Sequence, residues 1–199
     1  MGAAAVPLLD SPTRARILAA AQKRFASFGY RRTGVADIAR AAGVAPGTLY
    51  RYFKDKEDIF REVVRELHEA WLARAEKVIA EPGTALERMT RMGPASVEYN
   101  QENSLINSIF SRDEEIVFAP LLDELHDRLV KANVAIIAQL IREGIREGSV
   151  REIDPERAAY VLFMTGDTLT QQRNQQYHPY GEVFPIFGDI LLNGLTPRH

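Results

Sequence analysis

Cysteine is absent from the 199 residues and tryptophan occurs once. The first absence excludes disulfide frameworks, thiolate nucleophiles, Cys-ligated zinc or iron–sulfur sites and direct thiol redox sensing. Also missing is any uncharged apolar run near the roughly 18–20 residues needed to cross a bilayer, so no membrane partner is expected. Residues 1–10 carry an Ala/Val/Leu stretch, but no basic residue precedes it and Asp10 closes it. That stretch reads as a flexible leader rather than a secretory signal, and a cytoplasmic location is expected. Alternating apolar and polar residues of strand length are lacking, as are internal repeats. Four histidines are present (His68, His126, His178 and His199), yet none falls in an H-E-x-x-H or comparable ligand spacing. No phosphate-binding glycine pattern follows a strand, and no catalytic triad is supported. The expectation is a protein without enzymatic activity, metal or cofactor.

What is present is an uneven distribution of charge. The totals nearly cancel, at 25 Lys+Arg against 27 Asp+Glu for a net charge of −2. Between Arg14 and Lys56, however, ten basic residues face only Asp37 and Asp55, whereas residues after Phe60 hold 15 basic and 22 acidic side chains. A basic front quarter on an acidic bulk suggests a polyanion-binding module joined to something else. A solvated helical surface would account for the charge alone equally well, so the structural pattern has to decide.

That pattern is helical throughout. Ser11–Pro12 forms a cap and first turn, after which Ile17, Leu18, Ala21, Phe25 and Phe28 recur at helical spacing until Gly29. Thr33 or Gly34 can cap a short second helix bearing Val35, Ile38, Ala39 and Ala42, which Gly43 stops. Pro46 opens a third helix running to Phe53, with Leu49 and Phe53 turned inward. Asp55 can cap a fourth helix over residues 56–80. Further helices fit residues 85–92, 95–111, 120–147, 155–176 and 183–195, divided by Gly93–Pro94 and other breakers. The fold class is all-α. Its domain plan is three helices at 11–60, which the fourth helix connects to a larger helical domain at 61–199.

Residues 35–53, VADIARAAGVAPGTLYRYF, are two short helices about a Gly-centred turn, a helix-turn-helix. Small Ala39 suits close approach of the helices, Gly43 permits the turn and Val44 plugs the corner. Ala45, Pro46, Gly47, Thr48, Tyr50, Arg51 and Tyr52 are then shared between core edge and solvent. Small residues, hydroxyls and one arginine can lie close in a major groove, where a large side chain at Ala45 or Gly47 would hold the helix away. Phe53 is a core aromatic; Tyr50 reads as core or as groove contact.

At these residues the chain resembles the TetR family of bacterial transcriptional regulators. The resemblance runs over about residues 14–60, from ILAAAQKRFASFGY through RRTGVADIARAAGVAPGTLYRYFKDKEDIF. Ala45 stands where a serine is common, and Gly34 where a serine or threonine often sits. The resemblance implies that Thr33, Tyr52 and Lys56 grip phosphates, while Pro46, Gly47, Thr48, Tyr50 and Arg51 face base edges or the adjoining backbone. Arg51 is the candidate for a guanine, whose O6 and N7 its fork can bridge. It also implies a ligand-responsive repressor that binds a palindromic double-stranded DNA operator as a homodimer. A nucleoid-type DNA binder without ligand control is the alternative.

The larger domain carries the remaining expectations. Pairing is placed on the last two helices, where Ala159, Gly166, Gly188 and their neighbours mix small residues with Val161, Phe187, Ile190 and Leu191 as in a four-helix interface; the same stripes could instead be internal core. The resemblance implies a ligand cavity in this domain, whose candidate wall residues are Trp71, Tyr99, Phe110, Phe118, Tyr160 and Phe163, with Asn103 and Gln171 as orienting amides. Such a wall suits an apolar or uncharged small-molecule effector.

Overall fold

The computed structural model describes residues 11–106, 119–170 and 180–197. All regular structure among them is helical: α1 (Pro12–Arg32), α2 (Val35–Ala42), α3 (Pro46–Leu49), α4 (Lys56–Ile79), α5 (Ala85–Glu102), α6 (Ala119–Glu147), α7 (Pro155–Thr170) and α8 (Tyr180–Leu195). No described helix is long and apolar enough to cross a membrane. The chain divides into two compact units, Met1–His68 with Ser104–Leu125, and Glu69–Asn103 with His126–His199.

The first unit is assembled on the apolar stripe of α1. Ile17, Leu18, Ala21 and Phe25 are buried with Ile38 and Ala39 of α2, Leu49 of α3 and Ile59 and Phe60 of α4. Phe25, Tyr30 and Phe60 form an aromatic triangle with centroids 5.0–5.8 Å apart, within the range where ring quadrupoles attract. Charge reinforces it: Arg14 pairs with Glu62 and, at 3.3 Å, with Glu66, tying α1 to α4. Arg65 also hydrogen-bonds Glu62, and this contact above all holds the Glu62 carboxyl below its ordinary pKa. Capping follows the sequence closely. The Arg14 N–H donates to Ser11 Oγ at 3.2 Å and the Asp58 N–H to Asp55 Oδ1 at 2.8 Å. Gly29, at φ 74°, breaks α1 before its final residues.

In the second unit a separate core gathers Ala138, Ile141, Val150, Ala159 and Leu195. Gly144 of α6 is small because it must be: a Cβ there would lie 2.4 Å from Val150 Cγ2. The N-terminus of α5 is closed by a capping box between Thr84 and Glu87. The carboxylate of Glu147 accepts from Ser149 Oγ and from the Ala85 N–H; these two bonds keep its pKa below the ordinary carboxylate value.

Two sequence expectations are corrected. Gly93–Pro94 does not divide a helix, since α5 runs through Pro94. Proline there removes one N–H donor to the carbonyl of Thr90, but both residues are exposed, so water can satisfy the orphaned oxygen. The third helix is also shorter than expected, four residues rather than eight. Residues 50–53 leave it as a turn, with the Tyr52 and Phe53 N–H groups both donating to Leu49 O.

Candidate nucleic-acid interface

The α2–turn–α3 pair is fixed by its inward residues and by one arginine from outside it. Gly43 takes the left-handed conformation at φ 65°, which an L side chain adopts only at a cost, and ends α2. Val44 N–H then returns to Ala39 O at 3.0 Å. From α1, the Arg16 guanidinium donates to Ala42 O and Gly43 O at 3.0 and 3.3 Å. A cation on the last carbonyls of α2 satisfies orphan acceptors and opposes the negative end of the helix dipole. Sequence reasoning missed this role; the signal was an arginine directly before the apolar stripe of α1 that begins at Ile17.

On the outward side Ala45, Pro46, Gly47, Tyr50 and Arg51 are exposed, while Thr48 and Tyr52 are half-buried. Tyr50 is 57% exposed and Phe53 only 2%, which separates the two aromatics as surface and core. Nothing lies within 4 Å of where a Gly47 Cβ would stand, so the missing side chain serves no internal packing. Arg51 has no carboxylate partner among the described residues. Together these make a narrow, uncommitted ridge with a free guanidinium and a phenol. A body of that profile fits the roughly 12 Å wide major groove.

Two of the expected phosphate contacts are placed differently. Thr33 is buried, 1% exposed, and its hydroxyl donates to Gly29 O at 2.7 Å. It closes the broken end of α1 and presents no side chain outward; Gly34 is the N-cap of α2 instead, without a side-chain bond. Lys56 is half-buried, its Nζ donating to Tyr30 O at 2.9 Å and standing 4.2 Å from the Tyr30 ring centroid. Burial lowers the Lys56 pKa. The same burial, with Glu57 and Asp55 nearby, pushes the Tyr30 phenol up to about 12. Lys56 thus anchors α4 to α1 with one of its three donors.

In the second unit Trp71 and Tyr99 do come together, with ring centroids 5.7 Å apart. The Trp71 Nε1–H donates to Asn133 Oδ1 at 2.7 Å, and Asn133 Nδ2 donates to Leu129 O at 2.8 Å. Burial and then the Glu102 carboxylate raise the Tyr99 phenol to about 12. Asn133 was missed by sequence reasoning, although an amide four residues beyond Leu129 on an apolar stripe was the available signal. Asn103 ends α5, its Nδ2 donating to Tyr99 O at 2.9 Å. Phe163 is half-buried on α7. Phe110, Phe118 and Gln171 lie outside the described residues.

Of the residues expected to pair two protomers, Ala159 is corrected: it is fully buried in its own unit's core. Leu191 packs against that same core. Gly166 and Gly188 are half-buried, and Phe187 Cε1 lies 3.9 Å from where a Gly166 Cβ would stand, so α7 and α8 touch each other there. The apolar side chains that do face out are Tyr160 and Val161 of α7, and Ile186 and Ile190 of α8, each more than half exposed.

Comparison with known proteins agrees with this geometry. Residues 17–63 match the model of the family described as bacterial regulatory proteins, tetR family. The fatty acid metabolism regulator protein of Bacillus subtilis (strain 168) is 30% identical over 190 residues, covering 92% of this chain and 96% of that protein. The transcriptional repressor KstR2 of Mycolicibacterium smegmatis is 28% identical over 196 residues, covering 96% and 94%. Among solved structures, the transcriptional regulator FadR of Bacillus subtilis in complex with stearoyl-CoA superposes with a TM-score of 0.77 at 27% identity, covering 91% of this chain and 98% of that one.

Proposed function

The chain belongs to the TetR family of bacterial transcriptional regulators, and from that premise we propose that it is a repressor which binds a palindromic operator as a dimer and leaves it when an apolar-tailed effector binds. The observation that carries the DNA reading is the exposed ridge of Ala45, Pro46, Gly47, Tyr50 and Arg51 over the buried Leu49 and Phe53. Arg51 reads a base, and Tyr52 and Lys56 hold phosphates. The Thr33 side chain is left out of this interface.

One such head covers half an operator, so two protomers present their heads to half-sites about 34 Å apart. Tyr160, Val161, Ile186 and Ile190 supply the apolar face for that pairing, two helices from each protomer. The effector is best sought among long-chain acyl-CoA thioesters, because the Bacillus subtilis relative of similar length is named for fatty acid metabolism and the FadR structure of that organism, similar in fold, holds stearoyl-CoA. Trp71, Tyr99 and Asn103 remain the proposed contacts. An effector that favours a conformer with misplaced heads shifts the population off DNA.

The test uses the full chain with duplexes carrying the palindromes that flank its gene. Retention of one palindrome in preference to random duplex, and its loss on adding stearoyl-CoA, is the expected result. Uniform coverage of DNA would reject operator recognition. Retention indifferent to every acyl-CoA tried would reject the effector, and a monomeric mass at micromolar concentration would reject the dimer.

A further inference from the structure

The cations of this chain differ in the company they keep. Arg61, Arg65, Arg74, Arg88 and Arg142 each stand against at least one carboxylate. At the end of α1, Arg24, Arg31 and Arg32 have no carboxylate partner among the described residues, and Arg31 and Arg32 are exposed. Arg24 and Arg32 are arranged about Phe28, a residue 43% exposed, and Arg31 directly precedes Arg32. The Arg24 guanidinium lies 4.1 Å from the Phe28 ring centroid, and Arg32 Nε donates to Phe28 O at 3.1 Å. Arg24 Nε is buried with no hydrogen-bond partner. Arg31 directly follows Tyr30, the residue whose carbonyl and ring hold Lys56, so the cluster adjoins the start of α4.

A solvated helical face interleaves acids with bases, as Arg61, Arg65, Arg74, Arg88 and Arg142 do with their carboxylates. Here a field of one sign is held in place by a flat apolar ring that stays in water. Guanidinium forks match phosphate oxygens and shed their hydration readily, and an exposed ring between them offers a surface for a sugar. We propose that Arg24 and Arg32, held about Phe28, together with the exposed Arg31, make a second contact with the DNA backbone beside the reading helix, adding affinity without adding sequence preference. The inference rests on the DNA-binding reading above and extends it to residues outside the helix-turn-helix.

The test compares the wild-type full chain with the double variant Arg31→Gln/Arg32→Gln on a random-sequence duplex and on a palindromic one, over a series of salt concentrations. The salt slope of log K should flatten by about 0.9 for each phosphate contact removed. Affinity should fall by the same factor on both duplexes, with the melting temperature unchanged. Arg31→Gln alone carries the same measurement if the double variant does not fold, since Arg31 makes no contact within the protein that its loss would break. A wild-type slope and affinity in the variant would overturn the proposal. So would a loss confined to the palindrome, which would make these arginines base readers. Failure of the wild type to bind either duplex would instead overturn the DNA-binding reading itself.

Discussion

Gly47→Leu separates folding from docking. An added side chain at this position meets no atom of the protein within 4 Å of its Cβ. The Cβ therefore meets no steric cost, and leaving glycine gains up to about 1 kcal/mol of helix propensity, less in a helix of a single turn. Docking is another matter. A helix with side chains is about 10–12 Å across and the major groove about 12 Å wide. A leucine on the exposed ridge would hold the helix off the base edges. Losing one or two base contacts at about 1–3 kcal/mol each weakens specific binding by roughly fivefold to about ten-thousandfold. Gly47→Ala, adding a single methyl, should fall between. Thermal melting and fluorescence anisotropy on the operator duplex make the assay. Leucine variants that melt like the wild type and bind as tightly would show that this ridge never enters the groove.

Arg51→Gln should relax preference at one base position by about 1–3 kcal/mol while leaving the others intact; an unchanged selection from randomised duplexes would count against it. Asn133→Ala strands the buried Trp71 N–H, at a cost of about 1–3 kcal/mol. Because the chain has one tryptophan, urea unfolding followed by its fluorescence reads the effect directly, and an unshifted midpoint would contradict it. Tyr30 and Tyr99 should ionise only near about 12 in the folded protein, and unfolded phenols near about 10. In that window the unfolded chain releases protons that the native one keeps, so stability falls as pH rises past about 10. Phenolate absorbance that rises for all seven tyrosines together below that window would refute the assignment.

Capping and periodicity made the first sixty residues legible. Ser11, Gly43, Pro46 and Asp55 each occupy the helix end their chemistry suits, and Leu49 and Phe53 face inward as their spacing requires. What escaped depends on partners distant in sequence. Thr33 carries the right side chain for a cap, but whether its hydroxyl turns to α2 or back to Gly29 is set by the break in α1. Ala159 sits on a small-residue stripe that serves its own core, because a stripe does not say whose helix it meets. The proline at 94 misled because exposure, invisible in the sequence, decides what an interrupted helix loses.

The turn that holds α3 is secured from behind, by Arg16 on the carbonyls of Ala42 and Gly43 and by Leu49 and Phe53 beneath. The ridge above carries none of that work. Exchanging Gly47, Tyr50 and Arg51 for another regulator's residues should therefore leave a protein that still folds. Arg16 is the residue such a graft must leave alone: a screen for lost repression should recover it through the turn that it holds.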